Sequence, residues 1–170
     1  MKTIITIILS LFIVQASYGQ LPKTNDPNFE LKLRELLSFP IPAISVKEFK
    51  KMLKNEKVYV LDAREKGEFN ISHIKGAKLI GHKNLNKNAL NGILKNATIV
   101  VYCTIGVRSE QVGARLKKMG YTNVYNLLGS IIEWVNQDNS IIDSGNKPTQ
   151  KVHVYTDDYG QWLTKGEKVK

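Results

Sequence analysis

The run Thr98-Ile99-Val100-Val101-Tyr102 ends on the chain's single cysteine, Cys103, and a helical pattern begins a few residues later. Consecutive β-branched and aromatic residues suit a strand buried on both faces. Ser109 to Met119 reads as the following helix, with Gly120 as its left-handed stop. A buried strand running through a short loop into a helix points to an α/β fold with a mainly parallel sheet.

The same alternation extends along the chain. Val58-Tyr59-Val60-Leu61 predicts a buried strand, Ala77 to Ile80 a weaker one, and Asn123 to Leu127 another; Ser130 to Val135 opens a helix after Gly129. Upstream, Asp26-Pro27 is a cap and first-turn pair. Phe29, Leu33, Leu36 and Leu37 follow at helical spacing, so residues 27–38 read as an amphipathic helix, broken by Phe39-Pro40-Ile41-Pro42. Ala43-Ile44 is briefly extended, and Ser45 with Glu48 forms a capping box that opens helix 46–55. Downstream, the polar residues 138–151 read as a loop, Lys151 to Tyr155 as extended, and Lys165 to Lys170 as frayed. Tyr159 to Leu163 is expected to pack back on the domain, with Trp134 and Trp162 as packing residues.

At 170 residues the chain suits one compact domain. Lys2, the apolar run Ile4 to Val14, and small residues Ser17 and Gly19 fit a secretory signal peptide cut after Gly19. The apolar run is shorter than the ~18–20 residues that span a bilayer, so no stable membrane association is expected after cleavage. The expected division is a signal peptide at 1–19, a helical extension at 20–40, a central domain at 41–137 and a C-terminal extension at 138–170. The expected destination is outside the cytoplasm, in a bacterial periplasm.

The formal charge is +10, and removing residues 1–19 deletes only Lys2. Much of this charge is ordinary surface: Lys47, Lys50, Lys51 and Lys54 share one face of a helix whose other face carries Val46, Phe49 and Leu53. No aromatic residues interleave these lysines, which argues against nucleic-acid binding. One cysteine excludes an intramolecular disulfide and a cysteine-based metal cluster, and His73, His82 and His153 lack metal-ligand spacing. An unpaired cysteine in an exported protein either pairs between molecules or is a free, reactive thiol, with a buried inert cysteine as the plainer alternative.

The surroundings of Cys103 support the reactive thiol. A cysteine beyond the carboxyl end of a parallel strand sits where α/β sheets bind ligands. Backbone N–H groups of Thr104, Ile105, Gly106, Val107 and Arg108 can form an anion nest, and the following helix adds positive potential. Arg108 adds a permanent forked cation, and Gly106 allows the tight turn. These features favour the thiolate, which is the nucleophile.

Cys103 to Ser109 resembles the active-site loop of the rhodanese family. Leu61-Asp62-Ala63-Arg64, Glu68-Phe69, His73-Ile74 and Gly76-Ala77 resemble that family's first signature, with Ser72 where glycine is usual. Tyr125 to Ser130, with Trp134, resembles the segment after the loop, so the likeness covers roughly residues 41–137. The resemblance implies a sheet of about five parallel strands with helices on both faces. It also implies a sulfurtransferase without metal or organic cofactor. Cys103 would take sulfur from a small anionic donor such as thiosulfate and pass it to cyanide or a thiol. Residues 104–108 would bind the donor. Arg64 is a further candidate for substrate contact, or else a structural partner of Asp62; Glu68 and His73 are expected to tie down a loop.

Two other readings stand beside this one. A phosphatase or arsenate reductase also sets a cysteine and an arginine around an anion cradle. Tyrosine phosphatases, however, place one more residue between the two than Thr104, Ile105, Gly106 and Val107. The other is a rhodanese-like binding or regulatory module that turns nothing over.

Overall fold

The computed structural model describes residues 22–170, and residues 1–19, expected to be a signal peptide, lie outside them. Short apolar runs pair into one parallel sheet. Its strands are β1 (Ala43–Ile44), β2 (Val58–Asp62), β3 (Lys78–Leu79), β4 (Thr98–Tyr102) and β5 (Asn123–Leu127). Their spatial order is β1-β5-β4-β2-β3. The strongest apolar run is the central strand, and Ile99, Val100, Val101 and Tyr102 are fully buried there.

Side chains along β4 alternate between two cores, as pleating requires. Val100 and Tyr102 join Phe29, Leu33, Phe49 and Ile131 on one face. Ile99 and Val101 join Ile80, Val112 and Leu116 on the other, and Cys103 continues the alternation onto that second face. Each large apolar side chain sealed this way contributes about 1.5–3 kcal/mol.

Helices α1 (Pro27–Leu36) and α2 (Val46–Asn55) begin at the expected caps: Asp26 accepts from the Asn28 and Phe29 amides, and Ser45 and Glu48 close a capping box. Helix α1 stops ahead of Phe39, whose φ is +53°, and Glu110 accepts both the Ser38 and Phe39 amides. Helices α4 (Val107–Lys118) and α5 (Ser130–Asn136) follow β4 and β5. Gly120 takes φ +90° just beyond α4, as its role of helix stop requires.

Several expectations change. Helix α3 (Lys66–Ile71) fills what had no sequence assignment, and the Glu68 carboxylate accepts the Glu65 N–H at its start. Helix α4 begins at Val107 rather than Ser109, so Arg108 lies in its first turn and not in a loop. Residues 138–151 are not a loop throughout. They contain an antiparallel hairpin, β6 (Ile141–Ile142) with β7 (Pro148–Thr149), whose turn is held by Asp143 accepting the Gly145 and Lys147 amides.

The terminal residues are not frayed either: β9 (Glu167–Val169) pairs in parallel with β8 (Lys151–His153). Backbone hydrogen bonds define that pairing, so the charged side chains of Glu167 and Lys168 hide it. Between β8 and β9, α6 (Asp157–Gly160) leads to Trp162, which stacks on Phe29 at 5.2 Å between ring centroids. The Asn136 side chain donates to the Trp162 carbonyl and accepts the Thr164 N–H, clamping this arm to α5.

Candidate active site around Cys103

The sheet reverses its winding between β2 and β4, and clefts open beyond the carboxyl ends of strands at such points. Cys103 follows β4 directly. Its N–H donates to Ser130 Oγ at 3.0 Å, and its carbonyl accepts from the Ile131 amide. The Thr104 carbonyl accepts from the Ile132 amide, so the start of α5 grips the loop from below.

Gly106 sets the loop's shape. Its φ of +126° is one that side-chain-bearing residues rarely adopt. In that conformation its N–H points at Cys103 Sγ, 3.2 Å away. Its carbonyl accepts from the Asn126 amide side chain at 3.0 Å, and the Ser109 hydroxyl holds Asn126 Oδ1 at 2.7 Å. Among the described residues, the amides of Thr104, Ile105, Val107 and Arg108 have no protein acceptor. The Gly106 N–H on the sulfur, with unpaired amides on both sides of it in sequence, supplies the elements of an anion cradle.

Arg108 is not a free cation. Its guanidinium grips both oxygens of Glu68, Nη1 to Oε2 at 2.6 Å and Nη2 to Oε1 at 2.7 Å, and also donates to Thr104 Oγ1 at 2.8 Å. Burial alone would lower the Arg108 pKa, but the Glu68 carboxylate and the nearby Cys103 sulfur hold it above its ordinary value. Burial pushes the Glu68 carboxyl up, yet the Arg108 fork and the Glu65 amide outweigh it and hold Glu68 below the usual range. Glu68, expected only to tie down a loop, is thus the partner of Arg108. The helix that presents it carries little sequence signal, because Glu65 is not a usual N-cap residue; the Glu68 carboxylate on the Glu65 N–H marks its start only in the structure.

Arg64 lies elsewhere. Its side chain is completely buried and pairs with Asp62 at 2.7 Å, and it donates to the Ser72 carbonyl. The expectation that Asp62 and Arg64 form an ion pair fits, but this pair does not line the pocket. Arg64 is not placed for the expected substrate contact, because its side chain is sealed from solvent.

The mouth over Cys103 encloses about 230 Å³ and is walled by Thr104, Ile105, Val107 and Arg108. Cys103 is 1% exposed, forming the floor of the cavity. Three further sources complete the rim: Gln111 from α4, His82 and Lys83 from the segment after β3, and Tyr155 and Tyr159 from the C-terminal arm. Neither tyrosine carried a sequence signal, because each lies some fifty residues beyond the cysteine and arrives only through packing of the arm. No group of three or more His, Cys, Asp or Glu side chains among the described residues could hold a metal ion.

Comparison with known proteins agrees with the geometry. The sequence model of the Rhodanese-like domain matches residues 45–137. A Mycobacterium tuberculosis protein named "Probable adenylyltransferase/sulfurtransferase MoeZ" is 37% identical over 82 residues, 48% of this chain and 21% of the relative. A phytoplasma (Aster yellows witches'-broom) protein named as tRNA uridine(34) hydroxylase is 38% identical over 96 residues, 54% of this chain and 31% of the relative. The chain therefore spans less than a third of the length of either. The solution structure of a rhodanese-like domain from Anabaena superposes with a TM-score of 0.56 at 23% identity, over 61% of this chain and 80% of that one.

Proposed function

The chain belongs to the rhodanese-like domain family, and from that footing we propose that it is a sulfurtransferase carrying sulfane sulfur on Cys103. The Cys103 thiolate attacks the outer sulfur of a small anionic donor, of which thiosulfate is the simplest. The new sulfur–sulfur bond forms as the donor's own bond to that sulfur breaks. The bonding pair leaves with the donor remnant as sulfite, and Cys103 is left as a persulfide anion. Cyanide or a thiolate then attacks the terminal sulfur, departing as thiocyanate or a persulfide and returning Cys103 as thiolate. Charge and atoms balance at each step, and no cofactor enters.

One observation carries this reading: the Gly106 amide donates to the sulfur with N···S at 3.2 Å, and the amides adjacent to it in the chain have no protein acceptor. Donors fixed around a negative sulfur stabilise it before and after transfer.

Incubating the protein with thiosulfate or an organic thiosulfonate should add the mass of one sulfur atom, and cyanide should remove it as thiocyanate. Cys103→Ser should gain nothing, since a hydroxyl cannot form the sulfur–sulfur bond. No added mass with any donor would leave a binding module as the reading, and robust turnover of an aryl phosphate would favour the phosphatase.

The same proposal includes export, on the pattern of Lys2, Ile4 to Val14 and Ser17/Gly19. Protein from the native host should then begin at or near Gln20; intact Met1 in the cytoplasmic fraction would overturn it.

A further inference from the structure

Tyr155 combines an unusual backbone conformation with an exposed aromatic ring. It holds φ +68°, a left-handed conformation that is costly for a bulky aromatic residue, and it is 51% exposed. Strain of this kind, held by surrounding structure, is a pointer to function. The surrounding structure here is extensive. The Tyr155 N–H donates to His153 Nδ1, the Thr156 N–H to the Val154 carbonyl, and the Val154 N–H to the Val169 carbonyl. Val152, Val154 and Leu163 anchor the arm in the core. Gly160 lies so close to Val154 that an added Cβ would come within 3.0 Å of it.

What this arrangement delivers is two aromatic rings at the cysteine. Tyr155 covers the Arg108 guanidinium at 4.5 Å and stacks beside Tyr159, with centroids 6.0 Å apart. Both tyrosines line the mouth over Cys103 together with Val107. Burial, and then the nearby sulfur, hold the Tyr159 phenol above its ordinary pKa, so it stays neutral at the mouth. A dianion as small and hydrated as thiosulfate gains nothing from two aromatic rings. An organic sulfane donor does, since its anionic sulfur end can meet the loop amides while its apolar body meets the rings.

We infer that Tyr155 and Tyr159 form a subsite for the organic portion of the sulfur donor, giving the site a preference for aryl or otherwise apolar thiosulfonates over inorganic thiosulfate. This subsite rests on the sulfurtransferase reading and assigns the C-terminal arm a part in substrate selection. With an aryl thiosulfonate, Cys103 takes the outer sulfur and the leaving group is the aryl sulfinate, which departs with the bonding pair.

The test compares benzenethiosulfonate with thiosulfate on the whole protein. The wild type should prefer the aryl donor in kcat/KM. A Tyr155→Asn/Tyr159→Ala variant should lose about tenfold of that preference, mainly through KM. Asparagine tolerates the left-handed backbone at 155. Tyr155→Phe/Tyr159→Phe should keep the preference, because the rings and not the hydroxyls carry it. Should Tyr155→Asn fail to fold, Tyr159→Ala alone carries the comparison.

A second readout does not need sulfur transfer. Cys103 should alkylate faster with N-phenyl iodoacetamide relative to iodoacetamide in the wild type than in the alanine variant. An unchanged alkylation ratio, or an unchanged donor ratio, overturns the subsite. Absence of any persulfide with a normal alkylation ratio overturns only the sulfurtransferase reading.

Discussion

Arg108 and Glu68 meet through both arms of the guanidinium, at 2.6 and 2.7 Å, across the gap between α4 and α3. Glu68 is 4% exposed and the Arg108 side chain 13%, so the pair is largely out of water. The contact joins the helix that follows the nucleophile to the helix that follows the neighbouring strand β2. Arg108 thus fixes the start of α4 against α3, with Glu68 compensating its charge.

Arg108→Lys should therefore resemble Arg108→Ala more than the wild type. A lysine keeps the charge but cannot form the two-armed contact or cover Tyr155 as a plane. Each substitution leaves Glu68 poorly paired, which costs about 1–3 kcal/mol and lowers Tm. Thermal melts and rates of sulfur-mass gain would check this. A lysine variant with wild-type stability and rate would show that a bare cation suffices.

The same pair sets an acid limit to stability. Glu68 has its folded pKa below the ordinary value, so its contribution is complete above about pH 4.3 and fades as pH falls through the lower folded value. Glu68→Gln should melt below the wild type near neutrality. The difference should narrow in acid as the wild-type carboxyl protonates and comes to resemble the amide. A gap in Tm that stays constant down to about pH 3 would refute the assignment.

The central strand, Cys103 and the Gly106 turn were legible because their signals are local: a β-branched run, a single cysteine, and a glycine where φ turns positive. The pairing of Arg108 with Glu68 was not, since forty residues separate them and only the sheet order brings α3 beside α4. Arg64 shows the converse. Its pairing with Asp62 was readable, but its position beyond a strand end looked accessible, and only tertiary burial shows the pair sealed from solvent. Strand β9 escaped notice because its side chains are those of a solvated tail, while the backbone does the pairing.

Glu133 is the converse of Glu68 in energy. It is 1% exposed, accepts the Asn25 amide and the Gln137 side chain on one oxygen, and leaves its other oxygen without a partner. Burial holds its pKa above the ordinary value. The charged form thus costs stability at neutral pH, and the cost is relieved as pH falls through that raised value. Glu133→Gln should raise Tm near pH 7 by roughly 2–4 °C if about 1 kcal/mol is recovered. The advantage should vanish at a pH below the ordinary carboxylate range, and a lower Tm at both pH values would refute it.

Gly106→Ala should separate the backbone's role in the loop from its side chains. Space is not the obstacle: an added Cβ would meet Asn126 Nδ2 at 3.5 Å and Leu37 at 3.6 Å, ordinary contacts. The obstacle is φ +126°, which an alanine holds only at a cost of roughly 1–2 kcal/mol or more. The backbone can relieve that strain only by rotating the peptide, and rotation moves the N–H away from Cys103 Sγ. Rotation would also pull the Gly106 carbonyl from Asn126 Nδ2, which sits 3.0 Å from it. The variant should therefore lose stability and slow persulfide formation together, the latter by about tenfold if this donor supplies ~1.4 kcal/mol to the reacting sulfur. Asn126→Ala offers the control, since it removes the carbonyl's support without disturbing φ. Its rate should fall less than that of Gly106→Ala at equal loss of Tm. Equal losses of rate at equal losses of Tm would mean that the loop responds to stability alone, and that the Gly106 N–H has no separate role at the sulfur.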